Sequence, residues 1–301
     1  MQSVILAPFT ARDGENLALY DWHPERHGHD TCPSEAHSRG VVLIVHGLGE
    51  HASRHQRVAR KLQDWGFAVR AYDQRGHGES GGARGALPTD AALLDDLAEM
   101  VDDTRLRFAG LPLILLGHSM GGLVASRFVA LKIRQVEALV MSSPALDAGL
   151  NVFQKLLLAA MLRLAPNWCL NNGLNARYIS HDAGVVKAYF ADRLVHRKIS
   201  PRLGQFIEAG GPATVAAAAQ WSTPTLLLYA GADRLVNPAG SRTFVSNAAA
   251  SAAVKPGMVT AHCFKNLYHE IFNEVDSNAV FEALNCWLNT WFKAKKSATA
   301  Q

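Results

Sequence analysis

Short apolar segments that end in glycine or polar residues recur along the chain and strongly constrain its fold. Three of them are GVVLIVHG at 40–47, FAVRAYD at 67–73 and PLILLGHS at 112–119. Continuous apolar runs of this length are typical of strands that are buried on both faces. Longer segments with apolar residues at helical spacing lie between them, at about 55–65 and 89–108. This alternation predicts a parallel sheet with right-handed helical crossovers.

Further strands are expected on both sides of this alternating region. Residues 4–9 and 17–22 predict an antiparallel hairpin, and residues 25–39 are rich in His, Pro, Ser and Asp, which is typical of a loop. Three more apolar runs predict strands at 136–144, 225–233 and 258–264. The sequence therefore predicts an α/β fold with a mostly parallel, eight-stranded sheet flanked by helices.

The alternation stops between residues 145 and 220, where the chain is rich in leucine and alanine and has no convincing strand pattern. We predict an all-helical cap at 145–220, inserted into a core of 1–144 and 221–301. Such an insertion would cover the carboxyl ends of the strands, where ligands bind in open α/β sheets. Residues 151–164 are apolar over most of a helix surface. This surface belongs either to an ordinary core or to an exposed patch that meets lipid or an apolar substrate.

The sequence Gly117-His118-Ser119-Met120-Gly121 follows a predicted strand directly and precedes a helical run. In this context GxSxG forms a nucleophile elbow, a sharp turn that exposes the serine hydroxyl above the sheet. The residues two before and two after the serine must be small, because the turn is strained and crowded. The following helix directs its positive N-terminal end at the reacting centre. Ser119 is therefore the predicted nucleophile.

A serine hydroxyl needs an adjacent base, and that base needs a carboxylate that orients it. Asp233 is the only acid at a strand end between the predicted cap and the last strand. Two histidines follow it. His269 lies between the last strand and the final helix, where it can reach over the sheet, whereas His262 lies inside the strand. We predict Asp233 and His269 as the partners of Ser119, and His262 as a polar strand position.

Two backbone N–H groups are expected to bind the oxyanion of the tetrahedral intermediate. One is that of Met120, next to the nucleophile. The other is that of Leu48, in the loop His46-Gly47-Leu48-Gly49-Glu50-His51, where flanking glycines permit close approach. His46 and His51 are either metal ligands or braces of this loop, and the absence of a partner at ligand spacing favours bracing. The glycine-rich loop at 73–80 lacks the spacing of a phosphate-binding loop and is expected to support the site.

Composition argues against several other classes of protein. The net charge of +4 is modest and scattered, so no nucleic-acid partner is expected. A cluster at the C-terminus, Lys293, Lys295 and Lys296, is better explained as a solvated helix end. The cysteines lack zinc-site or disulfide spacing, and Cys263 and Cys286 are expected to be buried; the four are Cys32, Cys169, Cys263 and Cys286. We expect no cofactor and no metal.

No signal-peptide pattern occupies the first ten residues, and no uninterrupted apolar segment reaches the roughly 18 residues of a membrane span. We therefore expect a cytoplasmic protein. Transient contact of the cap with a membrane surface would make it membrane-peripheral. The oligomeric state is left open by the sequence.

Together these motifs resemble the monoacylglycerol lipase and lysophospholipase branch of the α/β-hydrolases, sometimes grouped with serine aminopeptidases. The matching stretches are HGLGEH (46–51), DQRGHGES (73–80), GHSMGG (117–122), SSPALD (142–147), GADRLVNPAGSRTF (231–244) and YHEIFNE (268–274). The resemblance implies an α/β-hydrolase fold, in which 145–220 is a mobile lid over an acyl pocket. It also implies the site Ser119, Asp233 and His269, with the oxyanion amides of Leu48 and Met120. Relatives more often have proline where Arg193 stands, and the lid is the part of the sequence that varies most within this family.

The leading functional hypothesis is hydrolysis of a carboxylic ester that carries one apolar chain, such as a monoacylglycerol or a lysophospholipid, through an acyl-enzyme. An alternative keeps the same three residues and changes the substrate, to acyl transfer, an amide or a small non-lipid ester. A third hypothesis is a non-catalytic ligand-binding protein on the same fold. Such proteins usually lose a member of the triad, whereas all three residues are present here.

Overall fold

The computed structural model describes residues 4–5, 8–22 and 38–299. Cys32 and most of the predicted loop at 25–39 lie outside the described residues. The strands are β1 (Val4–Ile5), β2 (Phe9–Thr10), β3 (Asn16–Leu17), β4 (Leu19–Trp22), β5 (Val41–Val45), β6 (Ala68–Tyr72), β7 (Leu113–His118), β8 (Ala138–Ser142), β9 (Leu170–Asn171), β10 (Lys198–Ile199), β11 (Thr225–Ala230) and β12 (Val259–Phe264). The helices are α1 (Gln56–Asp64), α2 (Ala92–Arg107), α3 (Met120–Ala130), α4 (Val152–Leu164), α5 (Ala183–Ala191), α6 (Pro201–Ala217), α7 (Ala239–Ala250) and α8 (Asn278–Thr299).

The predicted eight-stranded, mostly parallel sheet is confirmed. Its spatial order is β1-β4-β6-β5-β7-β8-β11-β12. The five pairings from β6 to β12 are parallel, and β1 and β4 add the antiparallel hairpin at one edge. Val45 aligns with Gly117, and His118 with Ser142, so β5, β7 and β8 end at the same edge. The chain segments that follow these strands therefore lie close together.

Two apolar cores cover the two faces of the sheet. Leu43 and Leu115 point into one core, and their neighbours Ile44 and Leu116 point into the other. This alternation follows from the two-residue period of a strand. Helices α2, α3, α6 and α7 contribute side chains to the first core, and α1 and α8 contribute to the second. Both faces are thus buried, which explains why these strands lack polar alternation.

The segment between β8 and β11 contains α4, α5 and α6, but it is not all-helical. The strands β9 and β10 pair antiparallel, with Lys198 opposite Asn171. The prediction of a strand-free insertion is therefore wrong at 170–171 and 198–199. Each strand has only two residues, which is too short for a two-residue period to be visible in the sequence.

The prediction that Cys263 and Cys286 are buried is also wrong, because both are exposed. Cys263 lies on β12, which is the last strand of the sheet. Cys286 lies on α8, a helix that buries Val280, Leu284 and Leu288. Near the end of α8, Lys295 Nζ lies 5.5 Å from the ring centroid of Trp291. Across the described ranges, no helix combines the length and hydrophobicity that a membrane span requires.

Replacing Leu115 by alanine tests how strongly the folded state depends on the sheet. Leu115 is fully buried at the centre of β7. Its truncation leaves a cavity, so we expect a loss of about 2–5 kcal/mol in the free energy of unfolding, measured by urea titration. The matched control is Leu106→Ala on α2, whose side chain is 82% exposed; it should change this free energy by less than about 0.5 kcal/mol. Equal effects of the two variants would contradict the assigned burial.

Candidate active site

Ser119 occupies the sharp turn between β7 and α3. Its backbone angles are φ 53° and ψ −121°, a conformation that residues other than glycine rarely adopt and that occurs mainly at functional sites. Its N–H donates to the Ser142 carbonyl at 2.9 Å, which anchors the turn to the end of β8. Ser119 is partly exposed, whereas its neighbours His118 and Met120 are buried. The turn thus presents the serine at the carboxyl edge of the sheet.

The two glycines of the motif lie where a larger residue would collide with backbone. A Cβ on Gly117 would lie 2.4 Å from the Gly121 carbonyl oxygen. A Cβ on Gly121 would lie 2.1 Å from the Val45 carbonyl oxygen, at the end of β5. Both distances are shorter than any ordinary van der Waals contact. The close approach of β5, β7 and α3 therefore requires glycine at both positions.

The structure places His269, and not His262, beside Asp233. His269 Nδ1 lies 2.7 Å from Asp233 Oδ2, and both side chains are almost completely buried. The other oxygen, Asp233 Oδ1, accepts the N–H groups of Leu235 and Val236 at 2.8 and 3.1 Å. His262 is exposed on the edge strand β12, which agrees with its interpretation as a polar strand position.

His269 also lies next to the serine turn. Its ring centroid is 4.8 Å from that of His118, the residue before Ser119. Among the described residues, no hydrogen bond joins the Ser119 hydroxyl to the His269 imidazole. A hydrogen bond between nucleophile and base is often long or misaligned before substrate binds. The structure thus brings the three predicted residues to one edge with the hydrogen bond between Asp233 and His269 already formed.

The pKa values of the two adjacent histidines, His269 and His118, are shifted in opposite directions. Burial alone would lower the pKa of His269, but the Asp233 carboxylate more than offsets this and raises that pKa above its ordinary value. Burial alone would raise the pKa of Asp233, but contact with His269 holds it below its ordinary value. For His118, burial and the neighbouring His269 lower the pKa to about 3. His269 is therefore the imidazole that can take up a proton near neutral pH, and His118 stays neutral.

The predicted oxyanion donors border the same space. A Cβ built on Gly47 would lie 3.1 Å from Ser119 Cβ, so the loop at 46–51 packs directly against Ser119. Within the described part of the chain, the N–H groups of Leu48 and Met120 have no hydrogen-bond acceptor. Met120 is also the first residue of α3, where the helix dipole is positive. These two donors are free to bind an anionic oxygen.

Three charged residues that the sequence reasoning missed hold the site together. Glu50 Oε1 accepts the Gly47 N–H at 2.6 Å, and Arg54 Nε donates to Glu50 Oε2 at 3.2 Å. Arg54 also donates to both oxygens of Glu270 at 2.5 and 2.7 Å. Burial alone would raise the pKa of Glu50, but His55, with further help from Arg54, holds it well below its ordinary value. The available signal was a pair of acids adjacent to the motif residues, in HGLGEH and in YHEIFNE.

The histidines of the loop brace it, as the sequence favoured. His46 Nε2 accepts the Gln74 N–H at 2.8 Å, which joins this loop to the one at 73–80. His51 Nε2 lies 2.8 Å from Asp192 Oδ2, in the segment between β8 and β11. Asp73 accepts the Tyr20 hydroxyl at 2.9 Å and further backbone N–H groups. In the part of the chain that the structure describes, no group of three or more metal-ligating side chains could hold a metal ion.

A nucleophile elbow beside an aspartate–histidine pair, at the carboxyl edge of a mostly parallel sheet, defines the α/β-hydrolase class. The family model described as Serine aminopeptidase, S33 matches residues 36–276. The chain belongs to this family.

Curated relatives and a solved structure agree with this assignment. The monoacylglycerol lipase of Mycolicibacterium smegmatis is 35% identical over 274 residues, which cover 90% of this chain and 92% of the relative. The human monoglyceride lipase is 29% identical over 295 residues, covering 96% and 90% of the two chains. The crystal structure of Paleococcus ferrophilus monoacylglycerol lipase matches with a TM-score of 0.77 and 30% identity, covering 91% of this chain and 99% of that one.

The raised pKa of His269 predicts the pH dependence of activity. A general base acts in its neutral form, so kcat/KM for a neutral, soluble ester should fall as the pH decreases through this pKa. We expect a midpoint above the ordinary imidazole value of about 6.5.

In Asp233→Asn, loss of the carboxylate should move the midpoint to lower pH and reduce kcat by about 10⁴-fold. The control Asp276→Asn removes an exposed carboxylate and should leave the profile unchanged. An unshifted midpoint in Asp233→Asn would contradict the assigned pair.

Proposed function

We propose that this chain is a serine hydrolase that cleaves carboxylic esters carrying one apolar acyl chain, of the monoacylglycerol or lysophospholipid type. The observation that carries the proposal is the 2.7 Å contact between His269 and Asp233 beside the strained Ser119 turn. The arrangement matches the nucleophile, base and orienting carboxylate that acyl transfer to serine requires. The site thus supports serine ester hydrolysis as the reaction class.

In the proposed mechanism Ser119 Oγ attacks the ester carbonyl carbon while His269 Nε2 takes the hydroxyl proton. The tetrahedral intermediate collapses, and His269 returns this proton to the leaving alcohol oxygen. Water then attacks the acyl-enzyme with His269 again as base, releasing the fatty acid and the free serine. Asp233 holds Nδ1–H of the ring through their hydrogen bond and stabilises the imidazolium.

The N–H groups of Leu48 and Met120 are the proposed oxyanion donors. Both border Ser119 and are free of other acceptors within the described residues. Removing one donor of this type from a serine hydrolase typically raises the barrier by about 3 kcal/mol. Glu50 fixes the loop through the Gly47 N–H, which places the Leu48 amide before substrate arrives.

We assign residues 145–220 as a lid and 1–144 with 221–301 as the hydrolase core. Helix α4 in this segment has no buried side chain. Phe153 and Leu156 are 74% and 66% exposed, and Trp168, just beyond the helix, is 62% exposed. Apolar surface of this extent usually marks a site of interaction. It supports an apolar acyl chain as substrate and transient contact of the lid with a membrane surface.

The comparisons support the same substrate class. The Mycolicibacterium smegmatis and human relatives are named for hydrolysis of monoacylglycerols, and a Bacillus subtilis relative, 29% identical over 95% of its length, is named phospholipase YtpA. The alignments with these three proteins extend over most of each chain. A lipid ester therefore fits this chain better than a small amide or a non-lipid ester.

The variant Ser119→Ala tests the nucleophile. We expect turnover of p-nitrophenyl butyrate to fall by at least about 10⁴-fold, because the attacking oxygen is lost. Labelling by a fluorophosphonate probe should disappear, while the circular dichroism spectrum stays that of the wild type. The control Ser246→Ala, at an exposed position of α7, should retain both the turnover of p-nitrophenyl butyrate and the fluorophosphonate labelling. Retained turnover in Ser119→Ala would refute the assignment.

The acyl-chain dependence tests the substrate class. Each buried methylene contributes about 0.8 kcal/mol, so a few of them suffice for a tenfold gain. We expect kcat/KM to rise by more than about tenfold from acetyl to decanoyl esters of the same alcohol. Monoacylglycerols and lysophospholipids of equal chain length then rank the head groups. A maximum at the acetyl ester would contradict a lipid substrate while leaving the serine mechanism intact.

A further inference from the structure

An open cavity of about 560 Å³ lies beside the loop that carries His269. Tyr268, the residue before His269, forms part of its wall, and Arg177, His181, Lys187 and Phe190 contribute other parts. The last four belong to the proposed lid, in or just before helix α5. The cavity therefore lies where the lid meets the loop of the catalytic base.

The side chains around this cavity are cationic and aromatic. Arg177 and Lys187 are exposed, and neither side chain has an ion-pair partner among the described residues. The His181 ring stacks on that of Tyr268 at 3.6 Å between centroids. Arg234 lies over Tyr178 at 4.6 Å from the ring centroid and adds a further positive charge. The wall thus combines several hydrogen-bond donors with flat apolar surface.

The two carboxylates next to this cavity, those of Glu274 and Asp182, already accept hydrogen bonds within the protein. Glu274 contacts His181 at 2.7 Å, but its side chain is only 1% exposed and also accepts the Tyr268 and His181 N–H groups. Asp182 is next to His181, but it caps helix α5 by accepting the Gly184 N–H at 2.7 Å. The exposed side chains of Arg177 and Lys187 are therefore accessible to an anionic ligand from solvent.

Positive charge is concentrated in this part of the chain. Residues 145–220 contain eight lysine and arginine residues and four aspartate and glutamate residues, whereas the rest of the chain contains equal numbers of each. The whole excess of the net charge of +4 thus lies in the proposed lid. A lid with this charge, and with an exposed Phe190 in the cavity wall, is complementary to a lipid surface that has anionic head groups above an apolar interior. A small soluble anion would leave Phe190 without an apolar contact.

We propose that this cavity binds the phosphate of an anionic phospholipid head group, with Arg177 and Lys187 as its charge partners and Phe190 in contact with the adjacent lipid. The inference rests on the proposed lipid-ester function only for the choice of a membrane as partner. Guanidinium and ammonium groups are the usual phosphate ligands, and Phe190 supplies the apolar contact that stabilises a protein at the lipid interface. Binding here would hold the lid and the His269 loop at the lipid surface.

Vesicle binding of the full chain tests this site. The double variant Arg177→Gln/Lys187→Gln is compared with wild type on vesicles of phosphatidylcholine alone and of phosphatidylcholine mixed with phosphatidylglycerol. We expect the variant to bind the mixed vesicles about 20-fold more weakly, and added salt to reduce the wild-type affinity toward that of the variant. The matched control Lys132→Gln/Lys255→Gln removes the same charge before the amino ends of β8 and β12 and should bind within about twofold of wild type.

Three results would overturn the proposal. The first is equal binding of the mixed vesicles by the double variant and the control, and the second is equal binding of both vesicle types by the wild type. The third is binding of inorganic phosphate at Arg177 and Lys187 without any vesicle binding, which would assign the site to a free anion.

Turnover of p-nitrophenyl butyrate should be unchanged in the double variant, since neither residue touches the reacting atoms. Vesicle binding needs no turnover, so a failure of the hydrolase proposal and a failure of this one give different results.

Discussion

The close packing of three backbone segments around Ser119 is the constraint on which the rest of the site depends. The Val45 carbonyl occupies the place of a side chain at Gly121, and the Gly121 carbonyl that of a side chain at Gly117. Such contacts form only when β5 and β7 lie side by side in register, as a parallel sheet arranges them. The hydrogen-bonded sheet therefore stabilises the strained backbone conformation of Ser119. The position of Ser119 at the carboxyl edge places it near the loops of Asp233 and His269 and the loop at 46–51.

The sequence predicted those features whose cause is local. The strands were visible as apolar runs and the elbow as a motif of five residues, because their geometry depends on neighbouring positions. The link of Arg54 to Glu270 was not predictable, since it joins residues 216 positions apart and leaves no periodic trace. Cys263 and Cys286 were misplaced for a related reason: apolar neighbours do not reveal that a strand is at an edge, or which side of a helix faces solvent.

Three buried charged residues connect loops of the candidate site. Glu50, Arg54 and Glu270 are all nearly excluded from water, and Arg54 bridges the two carboxylates. Glu50 also contacts His55 at 3.1 Å. Removing one member of such a group leaves an unpaired buried charge and costs about 3–5 kcal/mol, so the group favours a single arrangement. This group joins the loop of Leu48 to the loop of His269. These two loops are thereby fixed relative to each other, although no hydrogen bond joins the side chains of Ser119 and His269 among the described residues.

The proposed lid is held by a different kind of contact. Its segment near β10 is attached through backbone hydrogen bonds, from His196 N–H to the Gly49 carbonyl at 2.9 Å and from Ser200 N–H to the Gly85 carbonyl at 2.7 Å. Helix α4, in contrast, has no fully buried side chain, and it contacts α6 of the same segment, where Lys155 Nζ lies 2.7 Å from Glu208 Oε1. Elements with few buried contacts open at low free-energy cost. We therefore expect α4 to move while residues 196–200 stay on the core. A lid divided in this way can admit an acyl chain without disturbing Gly49 and the neighbouring Leu48 amide, which is a proposed oxyanion donor.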